Sequence, residues 1–242
     1  MLIDILTIFP EAFESPLSAS IMKRAIEAGL VTIHRHNIRD HATDVHHKVD
    51  DTPYGGGAGM VMKADVLSHA VDAVPKKGKS LRVLLSAQGQ AFNQAMAQEL
   101  ATYDQLILVC GHYEGVDERF VSSRIDREIS IGDYVVTGGE VPALVVCEAV
   151  TRLLPGVLGN SESAQNDSHT TGLLEYPHYT RPAEFESQQV PEILMSGNHG
   201  AIKKWRRQQE LKRTFERRSE LLKRVELTQD DVSFLKTLGW KG

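Results

Sequence analysis

The sequence predicts an α/β protein with a mostly parallel sheet covered by helices, followed by a smaller helical domain. Three observations lead there. Strand-length apolar runs alternate with helix-patterned segments over residues 2–154, and strands separated by helices pair in parallel with both faces covered. Two of those runs break at glycine, in LVCGHYEGVDER (residues 108–119) and IGDYVVTGGEVP (residues 131–142). Beyond residue 182 the strand pattern stops and a basic, helix-like stretch begins.

The elements follow in order. Residues 2–9 read as a strand. Ser15 and Pro16 suit a helix start and Gly29 its end. Residues 30–38 alternate as a second strand, which puts His34 and His36 on one face, with His41, His46 and His47 downstream. No acidic or cysteine ligand falls at a recognisable spacing from them, so no metal site is assigned. Residues 40–60 have no periodicity and end in the tract GGGAGM; such a loop is functional or simply mobile, and both readings stand. A helix over 64–74, a strand over 81–86, a turn at Ala87-Gln88-Gly89, a helix over 92–101 and a strand over 105–110 come next. An apolar helix over 140–154 carries Arg152 near its end. The polar stretch after it reads as an interdomain linker. In residues 183–242, Ile202, Trp205, Leu211, Phe215, Leu222 and Val225 form an imperfect apolar stripe, which predicts modest packing or a partner chain.

Length and composition bound the function. The 242 residues suffice for one large or two modest domains. No apolar run approaches the roughly 20 residues of a membrane helix, and MLIDILTIFPE lacks a basic segment before its apolar stretch, so a cytoplasmic protein is expected. Cys110 and Cys147 each lie in an apolar segment without a partner motif, which predicts buried free thiols. Net charge is −5, yet residues 201–225 hold ten Lys or Arg against three Glu, a balance of +7 that leaves −12 elsewhere. That asymmetry fits a surface that meets a polyanion, or a merely solvated basic helix.

Glycine at a strand's end lets backbone N–H and C=O groups approach a flat ligand, and it also simply makes tight turns. The G-x-G-x-x-G and G-x-x-x-x-G-K-[ST] strings are absent, which argues against a dinucleotide or phosphate cradle. In parallel sheets ligands lie outside the carboxyl ends of the strands, where the loops after Leu85, after Cys110 and around 132–139 would gather.

Five strings occur in one order: LLSAQG (84–89), LVCGHYEGVDER, IGDYVVTGGEVPA, RLLPGVLG (152–159) and LLEYPHYTRP (173–182). With them the chain closely resembles the bacterial tRNA (guanine-N1)-methyltransferases of the TrmD family, in the SPOUT superfamily, over nearly its whole length. The resemblance implies an α/β domain with a C-terminal trefoil knot over residues 1–160, a linker over 161–182 and a helical tRNA-binding domain over 183–242. It also implies a homodimer. General topology rules would not have suggested the knot. The implied reaction moves a methyl group from S-adenosylmethionine to N1 of guanine 37, 3′ of the tRNA anticodon. The alternatives are a SPOUT enzyme acting on another RNA or atom, and a non-catalytic RNA-binding protein. Matching positions put the donor pocket at Leu84, Leu85, Ser86, Gly111, Tyr113, Glu114, Ile131, Gly132, Asp133, Tyr134, Val135, Val136, Gly138, Gly139 and Pro142. They put the general base at Asp167 and the stabiliser of guanine O6 at Arg152, contributed by different subunits. The family has been described as magnesium-dependent, but no ligand set for that ion is apparent in the sequence.

The chemistry explains the pair. Removing the N1 proton places negative charge largely on O6, and a carboxylate is too weak a base to do this unaided. A fixed guanidinium at O6 is worth roughly 3 to 4 kcal/mol, so base and cation act together. Tyr176, His178, Tyr179 and Arg181 suit splayed RNA bases, or form only a proline-flanked turn. Three positions depart from the family strings: Ala87 and Ser219 stand where proline is usual, and His169 where phenylalanine is.

Overall fold

A computed structural model describes residues 1–159 and 167–242. The chain divides into two compact units, 1–159 and 160–242.

In the first unit a five-stranded parallel sheet runs β2-β1-β6-β5-β7. Its strands are β1 (Leu2–Thr7), β2 (Thr32–Asn37), β5 (Ser80–Ala91), β6 (Gln105–Cys110) and β7 (Arg127–Ser130). Two short strands, β3 (Asp50–Asp51) and β4 (Val61–Met62), pair separately. The helices are α1 (Glu14–Leu17), α2 (Ser20–Glu27), α3 (Ala64–Asp72), α4 (Gln94–Leu100), α5 (Glu118–Arg124) and α6 (Glu140–Thr151).

The period-2 pleat sorts the apolar side chains into two cores. Ile3, Ile5, Val83, Leu85, Leu106 and Leu108 pack with Ala25, Ala97, Val146 and Val150 of α2, α4 and α6. Leu6, Leu84, Ile107 and Val109 point the other way, against Leu67 and Val71 of α3 and Phe120 of α5. Every residue of β6 is buried, as a central parallel strand requires.

Two elements differ from the sequence reading. The single helix expected to run to Gly29 breaks into α1 and α2, because Ala19 is extended (φ −114, ψ 150) and Ser20 follows at φ +49. The strand expected to end at Ser86 resumes: pairing with β7 skips from Leu85 to Gln90 and then continues. The skipped residues arch over the end of β7 so tightly that a Cβ on Gly89 would lie 2.4 Å from the Ile129 backbone nitrogen. Ala87 is exposed on this arch, and the Ser86 hydroxyl accepts from the Gln88 N–H at 3.2 Å, a local restraint where the family has proline.

The second unit is built on the helices His199–Arg217 and Gln229–Thr237. Its core joins Leu211, Leu222 and Leu235 to Leu173, which is only 1% exposed. Leu173 lies in the stretch read as a linker, and the Leu174 N–H donates to the Thr214 hydroxyl at 2.9 Å. Leu211, Phe215, Leu222 and Val225 of the stripe thus find partners within the unit, among them a segment with no helical period of its own. Residues 160–166 of the expected linker lie outside the described residues. His169 sits at φ +73 in a tight turn, where its N–H donates to Leu173 O at 2.8 Å. The His199–Arg217 helix ends just before Ser219 without the family's proline.

Candidate methyl-donor site

The loops that leave β5, β6 and β7 meet in one cleft of about 280 Å³. Leu84, Leu85, Ser86, Gly111, Tyr113, Glu114, Ile131, Gly132, Tyr134, Val135, Val136, Gly138, Gly139 and Pro142 all line it. Asp133 does not. The Tyr134 N–H donates to Gly132 O at 2.9 Å, closing a three-residue turn with Asp133 exposed at its apex.

Backbone shapes the cleft. Gly139 N–H donates to Gly111 O at 2.8 Å, tying the start of α6 to the end of β6. A Cβ on Gly139 would stand 2.5 Å from the Cys110 Cα, so only glycine allows this approach. Gly132 has φ +153, and Ser130 Oγ both donates to its carbonyl at 3.1 Å and accepts from its N–H at 3.3 Å. Tyr113 itself takes φ +62.

Beneath these turns lies a buried carboxylate that sequence reading missed. Glu140, first residue of α6 and 8% exposed, accepts from the Thr7 hydroxyl at 2.7 Å. Its other oxygen lies 3.7 Å from His112 Nδ1. Helix N-termini favour such a charge. The carboxylate thereby joins the ends of β1 and β6 to α6. The Cys110 thiol is pushed well up by burial, and further by the Glu140 charge and Cys147; burial pushes Cys147 up to about 12. Both cysteines are free and buried, as expected.

Among the described residues the lining contains Glu114, Glu118 and Glu128 but no lysine or arginine. A phosphate would find no guanidinium or ammonium among them. A flat ligand with positive charge would find carboxylates, backbone amides and carbonyls, and apolar surface from Leu84, Val135 and Val136. S-adenosylmethionine, with an adenine ring, a sulfonium and an ammonium, has that chemistry, so the residues present fit it. Glu118 lay unread in the VDER string; Glu128 carried no local signal.

The Gly-rich end of the 40–60 loop reaches this site. Glu114 N–H donates to Met60 O at 3.0 Å, and a Cβ on Gly59 would overlap the Glu114 carboxylate. A broader hollow of about 1110 Å³, lined by Asp51, Thr52, Pro53, Tyr54 and Arg119, shares Val116 and Glu118 with the cleft.

The two residues expected to carry the chemistry lie in different units. Arg152 is the half-exposed C-cap of α6, its N–H donating to Glu148 O at 3.1 Å. Asp167 is half-buried in the second unit, and its carbonyl accepts from the Thr170 N–H at 3.1 Å.

The basic block resolves into separate tasks. Arg207 grips Asp231 with Nη2 at 2.8 Å and Nε at 3.1 Å, locking the two long helices of the second unit together. The Arg206 guanidinium stacks 4.7 Å from the Tyr176 ring, which lies 4.9 Å from the His178 ring. Lys203, Lys204, Lys212 and Arg217 are exposed.

Comparison with known proteins agrees along the chain. The family profile described as tRNA (Guanine-1)-methyltransferase TrmD matches residues 1–224. A curated tRNA (guanine-N(1)-)-methyltransferase of Chloroflexus aggregans is 57% identical, over 100% of this chain and 97% of that protein. Those of Moorella thermoacetica and Dehalococcoides mccartyi are 56% and 53% identical, over 98% and 96% of this chain and 96% and 94% of theirs.

Proposed function

The chain belongs to the tRNA (guanine-1)-methyltransferase TrmD family, and from that premise we propose that it methylates N1 of guanine 37 in tRNA, using S-adenosylmethionine held in the cleft. The observation that carries the donor assignment is a cleft built from three glycine-bearing turns, lined by carboxylates and, among the described residues, by no lysine or arginine.

When bound, the donor supplies an electrophilic methyl on a sulfonium. The chain's residues do the rest. The amides and carbonyls of the turns at Gly111, Gly132 and Gly138 hold the ligand's edge, while Glu114, Glu118 and Glu128 favour its positive charge. Tyr54, 99% exposed beside the adjoining hollow, offers a stacking face for an extruded base. Asp167 accepts the N1 proton, and Arg152 stabilises the charge that appears on O6. Around each pocket of a homodimer Arg152 comes from one subunit and Asp167 from the other, and the C-terminal part of the α/β domain is threaded as a trefoil knot. Exposed Lys203, Lys204 and Arg217 meet tRNA phosphates.

Magnesium has no step in this scheme. Among the described residues the cleft's carboxylates do not converge on a common point, and the one converging ligand group lies on β1 and β2.

The test is incubation with methyl-labelled S-adenosylmethionine and an unmodified tRNA transcript, followed by nucleoside analysis. N1-methylguanine at position 37 is expected. Methylation at another atom, or of ribosomal RNA alone, overturns the assignment.

A further inference from the structure

Asp4, His34 and His36 are the converging group. His34 and His36 stand two residues apart on β2, so both imidazoles leave the same face. Parallel pairing sets Asp4 of β1 opposite His34, on that face as well. Asp4 is 2% exposed, and its Oδ1 lies 3.2 Å from His34 Nδ1 and 2.8 Å from His36 Nε2. All three ligand atoms fall within 4.8 Å of one another.

The surroundings orient the carboxylate. Gln105 Nε2 donates to the second oxygen, Oδ2, at 2.7 Å and to Pro75 O at 3.1 Å. Such outer hydrogen bonds are what hold metal-ligating groups in place. Burial by itself would raise the Asp4 pKa, but the hydrogen bonds from His36, Gln105 and His34 outweigh it, and the carboxyl stays below its usual value. The imidazoles open to solvent, with His34 at 51% and His36 at 30% side-chain exposure.

We propose that Asp4, His34 and His36 bind a late first-row divalent cation of the zinc class. Zinc takes imidazole nitrogen and carboxylate oxygen at about 2.0–2.2 Å, and three protein ligands leave a position for water. Two imidazoles with one carboxylate select against magnesium and calcium, which require oxygen ligands. On binding, each neutral ring moves its proton to the nitrogen facing away from Asp4, and N–metal bonds replace the two N–H···O bonds. The ion clips edge strand β2 to β1. This site is separate from the cleft at the ends of β5, β6 and β7, and it does not rest on the methyl-transfer reading.

The test titrates the full chain calorimetrically with zinc chloride and, separately, with magnesium chloride. The His34→Gln/His36→Gln variant is run in parallel, with His46→Gln/His47→Gln as a control for exposed loop histidines. The wild type and the loop variant should take up one zinc per chain, while the β2 variant, which lacks two of the three ligands, loses more than the roughly 10- to 100-fold that an outer-shell change costs, and magnesium gives no heat. Zinc at about a hundred times its Kd should raise the melting temperature by several degrees only where His34 and His36 are present. The proposal is overturned if the wild type takes up no zinc, or if the β2 variant binds zinc as tightly as the wild type. If the β2 variant melts too low to titrate, His34→Gln alone, at the more exposed ring, gives the same readout.

Discussion

Under the proposed function, the cleft and the His199–Arg217 helix are opposite solutions to binding a charged partner. The cleft is made of backbone, with glycines at its turns and carboxylates in its lining. The helix is made of long side chains, with lysines and arginines spread over its surface. A small ligand must be held in one pose, so its site is rigid and intolerant of one extra methyl group. A polyanion is met through many contacts that add up and are screened by salt. The difference teaches where substitutions act: sharply at the cleft, gradually along the helix.

With Asp167 as the proposed base, Asp167→Ala gives the largest expected effect, and it lies outside both regions. Turnover should fall by about 10²- to 10⁴-fold, the usual contribution of a general base, while donor affinity measured by calorimetry is unchanged. Appreciable activity in this variant would remove Asp167 from the mechanism.

Gly139→Ala tests the rigid side of the comparison. Its Cβ must displace the Cys110 backbone at 2.5 Å, which overpacks the junction of β6 and α6. A loss of about 1–3 kcal/mol in denaturant stability is expected, together with weakened donor binding. Normal donor affinity would mean that the cleft is softer than its geometry implies.

Arg207→Ala sharpens the other side, because this arginine is structural. Losing its paired grip on nearly buried Asp231 should destabilise the second unit by roughly 1–3 kcal/mol. The pH dependence has a definite sign. Burial would raise the Asp231 pKa, but hydrogen bonds from Arg207 and Thr228 and the Arg207 charge lower it below its ordinary 3.8. A depressed carboxylate contributes fully above its unfolded pKa, and the contribution is lost as pH falls through the folded one. Wild-type and Arg207→Ala melting curves should therefore differ most above about pH 4 and converge in more acidic solution.

Replacing Lys203, Lys204 and Arg217 with alanine should barely change stability. It should lower the salt dependence of tRNA binding by roughly 0.7 to 0.9 in slope per lost phosphate contact. An unchanged slope would make this face a solvated surface. The smallest effect is expected at Cys110 and Cys147: their buried, up-shifted thiols should resist alkylation at pH 8 until the protein is unfolded.

Much of this was legible in sequence because it is local. Strand alternation, helix period and a glycine at a strand's end are recorded within a few residues, so β6 was read over its observed span and the cleft's turns stood out as interrupted strings. The departures were local too, but they depended on backbone angles such as that of Ser20, which no residue pattern announced. Glu128 entered the cleft unread for a different reason: its place is set by the pairing of β7 with β5.

By itself the sequence determined the alternating elements, the glycine turns, the buried cysteines and the uneven charge, since each depends on neighbours close along the chain. Only the tertiary structure decided that Thr7 would meet Glu140, that Arg207 would be held by Asp231, that Leu173 would fill the second core and that Asp4 would stand between two histidines. These partners are brought together by strand order and helix packing. Contacts between such distant residues leave no period in the sequence, and they become specific only when the fold closes the long loops that separate them.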